Sequence, residues 1–328
     1  MSRVRILVTG GAGFIGSWFV RTLLDEGYAG LDPSEVTVLD KLTYAGNLAN
    51  LDPVTTDPRL RIVIGDVADA DLVDEVVAGQ DLVVHFAAES HVDRSITAAA
   101  DFVRTNVVGT QTLVQAARVH RVGRFVQVST DEVYGSIADG AWTESAPLAP
   151  RSPYSASKAS ADLFIQAYHI THGVDVVTTR CSNNYGPYQF PEKVVPLFIT
   201  NLLDGLPVPL YGDGGNVRDW LHVADHCRGI ALVAAGGRAG EIYHIGGGTP
   251  LTNADLTRRL LRATGRDEAF VRKVPDRPGH DRRYALDTAK IVGELGYAPQ
   301  IDLDTGLADT VAWYQHHEDW WRPLAPRA

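Results

Sequence analysis

Val4-Arg5-Ile6-Leu7-Val8-Thr9-Gly10-Gly11-Ala12-Gly13-Phe14-Ile15-Gly16 reads as an apolar strand, a glycine-dense turn and the start of a helix. Ile15, Phe19 and Leu23 follow at helical spacing, and Gly27 is a stop. Gly11, Gly13 and Gly16 fit G-x-G-x-x-G, while Gly10, Gly13 and Gly16 fit the wider G-x-x-G-x-x-G. Glycines let backbone approach a pyrophosphate, which the helix N-terminus then stabilises with free N–H groups and its dipole. A plain glycine turn can carry the same letters, so the context decides. Val36-Thr37-Val38-Leu39-Asp40 supplies that context as a second strand ending in an acid, 24 positions after Gly16. A carboxylate near that spacing takes the ribose hydroxyls of NAD and repels the extra phosphate of NADP.

Outward from this unit the alternation continues. Strands are predicted at Arg61–Gly65, Leu82–Phe86, from Phe125, and at Val174–Thr179, with helices at Leu72–Val77, 97–120 and from Pro153 to a stop at Gly173. Ser152 can cap the last helix with Pro153 at its first position. Six strands separated by helices predict an α/β fold with a doubly wound parallel (Rossmann) sheet and right-handed crossovers. The polar candidates Gly10 to Gly16, Asp40, Asp66, Ser90, Thr130 to Glu132 and Asn183 all follow strands, on the edge where such sheets bind ligands. From Tyr185 onward the alternation lapses into a smaller C-terminal α/β lobe, with helices near 194–204, 253–264 and 303–317 and strands at 207–211 and 241–245. The expected division is a nucleotide-binding domain over 1–182, rejoined by about 220–246, and a second lobe over 183–328.

At 328 residues the chain can bury a large core. A net charge of −10 argues against a general nucleic-acid or acidic-membrane binder. Cys181 and Cys227 lack paired spacing, which disfavours a disulfide scaffold or zinc site and suits a reducing compartment. The N-terminus Met1-Ser2-Arg3 enters a strand pattern at once, and no apolar run approaches the roughly 20 residues of a membrane span. A soluble cytoplasmic protein is expected.

The chemistry concentrates between Ser129 and Lys158. Tyr154 and Lys158 are four apart, so on a helix they share a face, where the ammonium would favour the phenolate and make a base for a hydroxyl proton. Asp131 and Glu132 stand at the end of the strand at Phe125. Adjacent carboxyls there repel and lose hydration, so a structural role needs nearby cations. Two acids are also superfluous for simple alcohol oxidation. They make sense if oxidation yields a ketone that acidifies a neighbouring C–H, with one carboxylate removing that proton while the other carboxylic acid protonates a departing hydroxyl. Helix capping by Asp131, or a surface turn, is the plainer alternative. In the second lobe, Lys193, Arg218, Arg277, His280, Arg282 and Arg283 recur in motifs suited to a diphosphate. Tyr211 beside Pro209 could stack on a base or sit in the core. His222 and His226 have metal-like spacing but no acid or cysteine partner, and read as structural, so no metal is expected.

The chain resembles the extended short-chain dehydrogenase/reductases, and among them the dTDP-glucose 4,6-dehydratase family. The resemblance rests on Thr9 to Gly16, Asp40 to Asn47, Phe86 to Asp93, Ser129-Thr130-Asp131-Glu132-Val133-Tyr134-Gly135, Tyr154 to Lys158, Asn183-Asn184-Tyr185-Gly186-Pro187 and Arg277 to Tyr284. The Thr130-Asp131-Glu132 triplet is the most specific part, because related 4-epimerases and decarboxylases lack it. The resemblance implies that Tyr154 deprotonates the glucose C4 hydroxyl, with Thr130 orienting it, as NAD takes the C4 hydride. Glu132 then removes the C5 proton, Asp131 protonates the departing C6 hydroxyl, and hydride returns to C6. It places Gly10, Gly13, Phe14, Ile15, Gly16, Asp40, Lys41, Leu42, Thr43, Asp66, Val67, Phe86, Ala87, Ala88, Ser90, Thr105, Tyr154, Lys158 and Asn184 against NAD. Substrate would meet Ser90, Thr130, Asn183, Lys193, Pro209, Tyr211, Arg218, Asn253, Arg277 and His280, in a mainly nucleotide-sugar-binding lobe. A homodimer through helices 97–120 and 153–172 is implied as well, since both carry apolar residues on more than one face. Competing expectations are a 4,6-dehydratase for another nucleotide-sugar, a nucleotide-sugar 4-epimerase, and a non-catalytic NAD-binding regulator, which has no need of Thr130, Asp131, Glu132, Tyr154 and Lys158 together.

Overall fold

The computed structural model describes residues 3–325, so Met1 and Ser2 of the N-terminal reading lie outside the described residues. The first half alternates β1 (Val4–Thr9), α1 (Phe14–Leu24), β2 (Pro33–Asp40), β3 (Leu60–Ile64), α2 (Ala70–Val77) and β4 (Leu82–His85). Next come α3 (Val92–Thr97), α4 (Ala99–Phe102), a π-helical stretch Val103–Val108, α5 (Gly109–Val119), β5 (Arg124–Thr130), α6 (Pro153–His172) and β6 (Val176–Cys181). The second half contains β7 (Asn183–Tyr185), α7 (Val194–Leu203), β8 (Val208–Tyr211), β9 (Val217–His222), α8 (Val223–Gly236), β10 (Ile242–Ile245) and β11 (Pro250–Thr252). It closes with α9 (Asn253–Ala263), β12 (Val271–Val274), α10 (Ala289–Leu295), α11 (Leu303–His316) and α12 (Glu318–Trp321).

Among the described residues, one sheet of seven parallel strands runs in the order β10-β6-β5-β4-β1-β2-β3. Its strands are apolar on both faces because helices cover both. Ile6, Val8, Val36 and Val38 pack into the core on one side, while Leu7, Leu39, Val83 and Phe125 pack into the core on the other. Strand order reverses between β1 and β4, which opens a crevice at their carboxyl ends. After α8, β10 returns to pair with β6 as the seventh strand. The remainder forms a three-stranded sheet β11-β9-β7 and a two-stranded sheet β12-β8 around Phe198, Trp220, Leu260, Leu307 and Trp321.

Two local sequence signals act as expected. Ser152 and Ser155 form a reciprocal capping box at the start of α6, and Gly173 ends that helix at φ 70°. The helix predicted over 97–120 is instead broken. Ala98 leaves helical geometry, and the backbone widens into π form around Asn106. The cause is a buried polar side chain: the Asn106 amide donates to Ser157 Oγ at 2.8 Å and to the Glu89 carbonyl, and accepts from Glu89 N–H. Satisfying that amide outweighs regular helix geometry.

The glycine turn depends on close approach. A Cβ on Gly10, which has φ +71°, would stand 2.6 Å from Ala87 N, and one on Gly16 would enter the Gly10 carbonyl oxygen. On Gly13 the nearest atom would be 3.3 Å away. Gly16→Ala should therefore cost about 1–3 kcal/mol, the range of an overpacked core site, and Gly13→Ala distinctly less. Urea unfolding midpoints of the two variants measure the difference.

Candidate active site

The crevice at the β1–β4 switch opens into a cavity of about 300 Å³ along the carboxyl edge of the sheet. Its floor at one end is the turn Gly10 to Gly16. Gly13 caps α1 without any side-chain bond, leaving the helix N-terminus to the cavity. Asp40 at the end of β2 accepts from the N–H groups of Ala12 and Leu42 at 2.9 and 2.8 Å. Burial raises its carboxyl above the ordinary value, against those two bonds. Asp66 follows β3; burial pushes its carboxyl up, but Lys41 at 2.9 Å, with help from Arg104, brings it below the usual range.

At the other end β5 delivers Thr130, Asp131 and Glu132. The carboxyls lie on a 3₁₀ turn, Asp131–Tyr134, capped by the Thr130 hydroxyl, which accepts from Glu132 N–H. Asp131 is 2 % exposed and its Oδ2 is buried without a partner. Burial first, and the neighbouring charge of Glu132 second, push the Asp131 carboxyl well above its normal value. Glu132 is also raised by burial, but Arg277, Arg218 and Lys193 oppose the rise. Both carboxyls are raised, Asp131 the more strongly, and the cations around Glu132 favour its charged form over that of its neighbour.

Tyr154 and Lys158 project from α6, both buried. The tyrosine departs from the sequence expectation. Its phenol is raised well above the ordinary value by burial and then by Glu132, with Thr130 acting in the opposite sense. The Lys158 ammonium does not point at the phenol but donates to the Val128 carbonyl at 2.7 Å. Burial lowers Lys158, and Asp162 counteracts it. The sequence spacing gave the shared helix face but could not give the depth, and desolvation dominates at that depth.

Of the residues expected against NAD, all but Leu42 line the cavity. Leu42 adopts φ 53° and spends its N–H on Asp40. Ser90, Thr130, Asn183 and Lys193 of the expected substrate set also line it. Pro209, Tyr211, Arg218, Asn253, Arg277 and His280 do not; they gather on the second lobe. There the turn Tyr211–Asn216 bonds to the start of α9, and the Tyr211 ring meets His280 edge-on at 6.2 Å. Arg218 and Arg277 reach toward the acid pair from that side, and Arg277 lies 3.6 Å from Asp93. Arg282 and Arg283 are used structurally, pairing with Asp213 and donating to the Gly140 carbonyl. His222 caps α8 by accepting from Ala224 N–H.

Two further residues around the cavity are not singled out by the sequence. Glu192, beside Lys193, holds Arg94 at 3.1 Å. Tyr284 donates to Asp281 and lies under the Arg218 guanidinium at 4.1 Å, within the field of Glu132. The only signal for either was membership of a cation-bearing segment.

A family model described as GDP-mannose 4,6 dehydratase matches residues 7–310. The chain belongs to this family. Within it, the dTDP-glucose 4,6-dehydratase of Streptomyces niveus is 61% identical over 321 residues, spanning 98% of this chain and 96% of the relative. The crystal structure of the dTDP-glucose 4,6-dehydratase of Streptomyces venezuelae, solved with NAD bound, superposes with TM-score 0.97 at 65% identity, covering 98% and 99% of the two chains. A UDP-glucose 4-epimerase of Thermotoga maritima shares the fold at TM-score 0.87 and 31% identity, covering 95% of this chain and 99% of its own.

The electrostatics of Asp131 give a signed prediction. A carboxyl whose folded pKa is raised adds stability below its unfolded pKa and loses it as pH rises through the folded value. Asp131→Asn keeps the shape without the charge. Its melting temperature should exceed that of the wild-type protein above neutrality, and the advantage should shrink on acidification. Calorimetry across pH checks this.

Proposed function

We propose that this chain dehydrates dTDP-glucose to dTDP-4-keto-6-deoxy-glucose, retaining NAD throughout. The observation that carries the reading is the buried Asp131/Glu132 pair beside Tyr154, both carboxyls raised by burial but only Glu132 opposed by three cations, Arg277, Arg218 and Lys193. The glycine cradle, the open N-terminus of α1 and the unpartnered buried Oδ1 atoms of Asn183 and Asn184 fit a dinucleotide. Gly10 to Gly16, Asp40, Asp66, Val67, Ala87, Thr105 and Asn184 would hold it. NAD supplies the reversible acceptor for the hydride leaving C4 and entering C6.

The residues act in sequence. Tyr154, oriented by Thr130, takes the proton of the C4 hydroxyl in its phenolate form, which burial opposes and which the ammonium of Lys158, one turn along α6 and supported by Asp162, favours. The resulting 4-ketone acidifies C5–H. Glu132, held toward its charged form by Arg277, Arg218 and Lys193, removes that proton. Asp131, kept neutral by burial, gives its proton to the C6 oxygen, which leaves as water. Glu132 returns a proton to C5, and the proton that Tyr154 took from the C4 hydroxyl replaces, through solvent, the one that Asp131 gave to the departing water, so both groups are reset for the next turnover. Arg277, Arg218 and Lys193 also suit the diphosphate, and Tyr211 and His280 the base. The residue assignments and the division of labour between sheet domain and second lobe are part of this proposal.

No helix among the described residues is long and apolar enough to cross a membrane. A cytoplasmic setting is supported by two buried cysteines left as free thiols. Pairing of two copies is supported by exposed Leu163, Phe164 and Ile170 on α6 and Val103, Val108 and Val119 on the adjoining kinked helix. Leu163→Glu should shift the sedimentation coefficient to that of a single chain.

The purified protein given dTDP-glucose, without added NAD, should yield product lighter by one water. An unchanged mass with altered stereochemistry would establish epimerisation instead. Glu132→Gln should oxidise C4 and stall, accumulating reduced-nicotinamide absorbance in a single turnover while steady-state turnover falls about 10²–10⁴-fold. Normal turnover by that variant removes Glu132 from the role of C5 base.

A further inference from the structure

We propose that Tyr134 and the buried Asp162–Arg180 pair are positioning residues that hold the acid-bearing turn and the Tyr154/Lys158 helix in one register. The inference rests on the reading of the site given above and deepens it.

Five elements meet at this network, beside the cavity: α6, β6, β5, the acid-bearing turn and β10. Asp162 lies on α6, four residues beyond Lys158, and is 1% exposed; Arg180 on β6 is 3% exposed. The Asp162 carboxylate accepts from Arg180 Nε at 2.9 Å and from Ser129 Oγ on β5 at 3.0 Å. Arg180 Nη1 donates to the Tyr134 phenol oxygen at 2.5 Å. That hydroxyl lies 2.7 Å from His244 Nε2 on β10, and His244 Nδ1 lies 2.9 Å from the Asp287 carbonyl oxygen. A carbonyl only accepts, so Nδ1 is assigned the proton and Nε2 becomes the acceptor. The bonds therefore run one way, from Arg180 through Tyr134 and His244 to the Asp287 carbonyl, with no donor or acceptor role left to choose.

The network grips the catalytic turn at both ends. Ser129 immediately precedes Thr130, and Tyr134 is the last residue of the turn that carries Asp131 and Glu132. Through Asp162 the same network holds α6, and the Asp162 charge opposes the effect of burial on Lys158. Stability alone does not account for it. A buried ion pair loses about as much hydration as it gains in attraction, and apolar replacements are often no less stable. Asp162 Oδ1 has no partner at all, which further lowers the net gain. What the arrangement supplies is fixed geometry between two catalytic pairs carried on separate elements.

Tyr134→Phe tests this with little loss of packing, because the ring keeps its stack on Trp142 at 5.9 Å. The two half-reactions separate the readings. Positioning predicts that C4 oxidation survives while elimination slows about 100-fold, as for a displacement of about 1 Å, so reduced-nicotinamide absorbance accumulates in a single turnover. The KM for dTDP-glucose should stay close to the wild-type value. Arg180→Lys, which keeps the charge but loses the fork, should reproduce the split. If Tyr134→Phe runs both half-reactions at wild-type rates, or slows both equally with a lower melting temperature, the network is structural only and the proposal fails. Should Tyr134→Phe not fold, Arg180→Lys and Ser129→Ala decide by the same split. Insolubility of all three would assign the network to folding and also overturn the proposal. The wild-type protein in the same assay isolates the underlying reading: if it fails to dehydrate, that reading falls rather than this one.

Discussion

Two adjacent carboxyl groups at the end of β5 cannot both keep their charge in a dry cavity, and much of the molecule answers to that constraint. Moving away from water raises both, and the charge of Glu132 raises Asp131 further. The conflict is settled by asymmetry. Asp131 has a single cation, Arg218, against the effect of burial, whereas Glu132 has Arg277, Arg218 and Lys193. The lobe therefore does more than cover the sheet edge, since its cations favour the charged form of Glu132 over that of Asp131.

The sheet supplies the other half of the arrangement. Parallel strands deliver their polar ends to one edge, and the reversal of order between β1 and β4 opens that edge where the glycine turn and the Phe86–Ala88 segment nearly touch. That closeness leaves no room for a side chain at Gly10, and the turn's own Gly10 carbonyl leaves none at Gly16. Tyr154 shares one cavity with Asp131 and Glu132 because α6 packs against β5, through the polar network under the acid-bearing turn.

Much of this was legible in the sequence because it is local. The strand, glycine turn and helix at Val4 to Leu24, the capping of α6 by Ser152, and the placement of polar residues after strands all follow from periodicity and turn chemistry. What stayed hidden depends on distant parts of the chain. Asn106 breaks its helix only because Glu89 and Ser157 are there to bond it. The pairings β7 with β9 and β8 with β12 join segments with no common periodicity. Lys158 turns to the Val128 carbonyl, and the Tyr154 phenol is raised rather than lowered, because burial depth is a property of the assembled cavity. Spacing could place Arg277, Arg282 and Arg283 in one motif, but only the fold separates the one facing Glu132 from the two spent on Asp213 and the Gly140 carbonyl.

The central claim is that a single cavity oxidises C4, eliminates water across C5 and C6, and returns the same hydride without releasing its carrier. dTDP-glucose deuterated at C4, mixed with unlabelled substrate and analysed by mass spectrometry and NMR, tests this most directly. The account predicts deuterium at C6 of the same molecule that lost it from C4, with no crossover to unlabelled product. Deuterium scrambled between molecules, or lost to a free reduced nicotinamide pool, would contradict it.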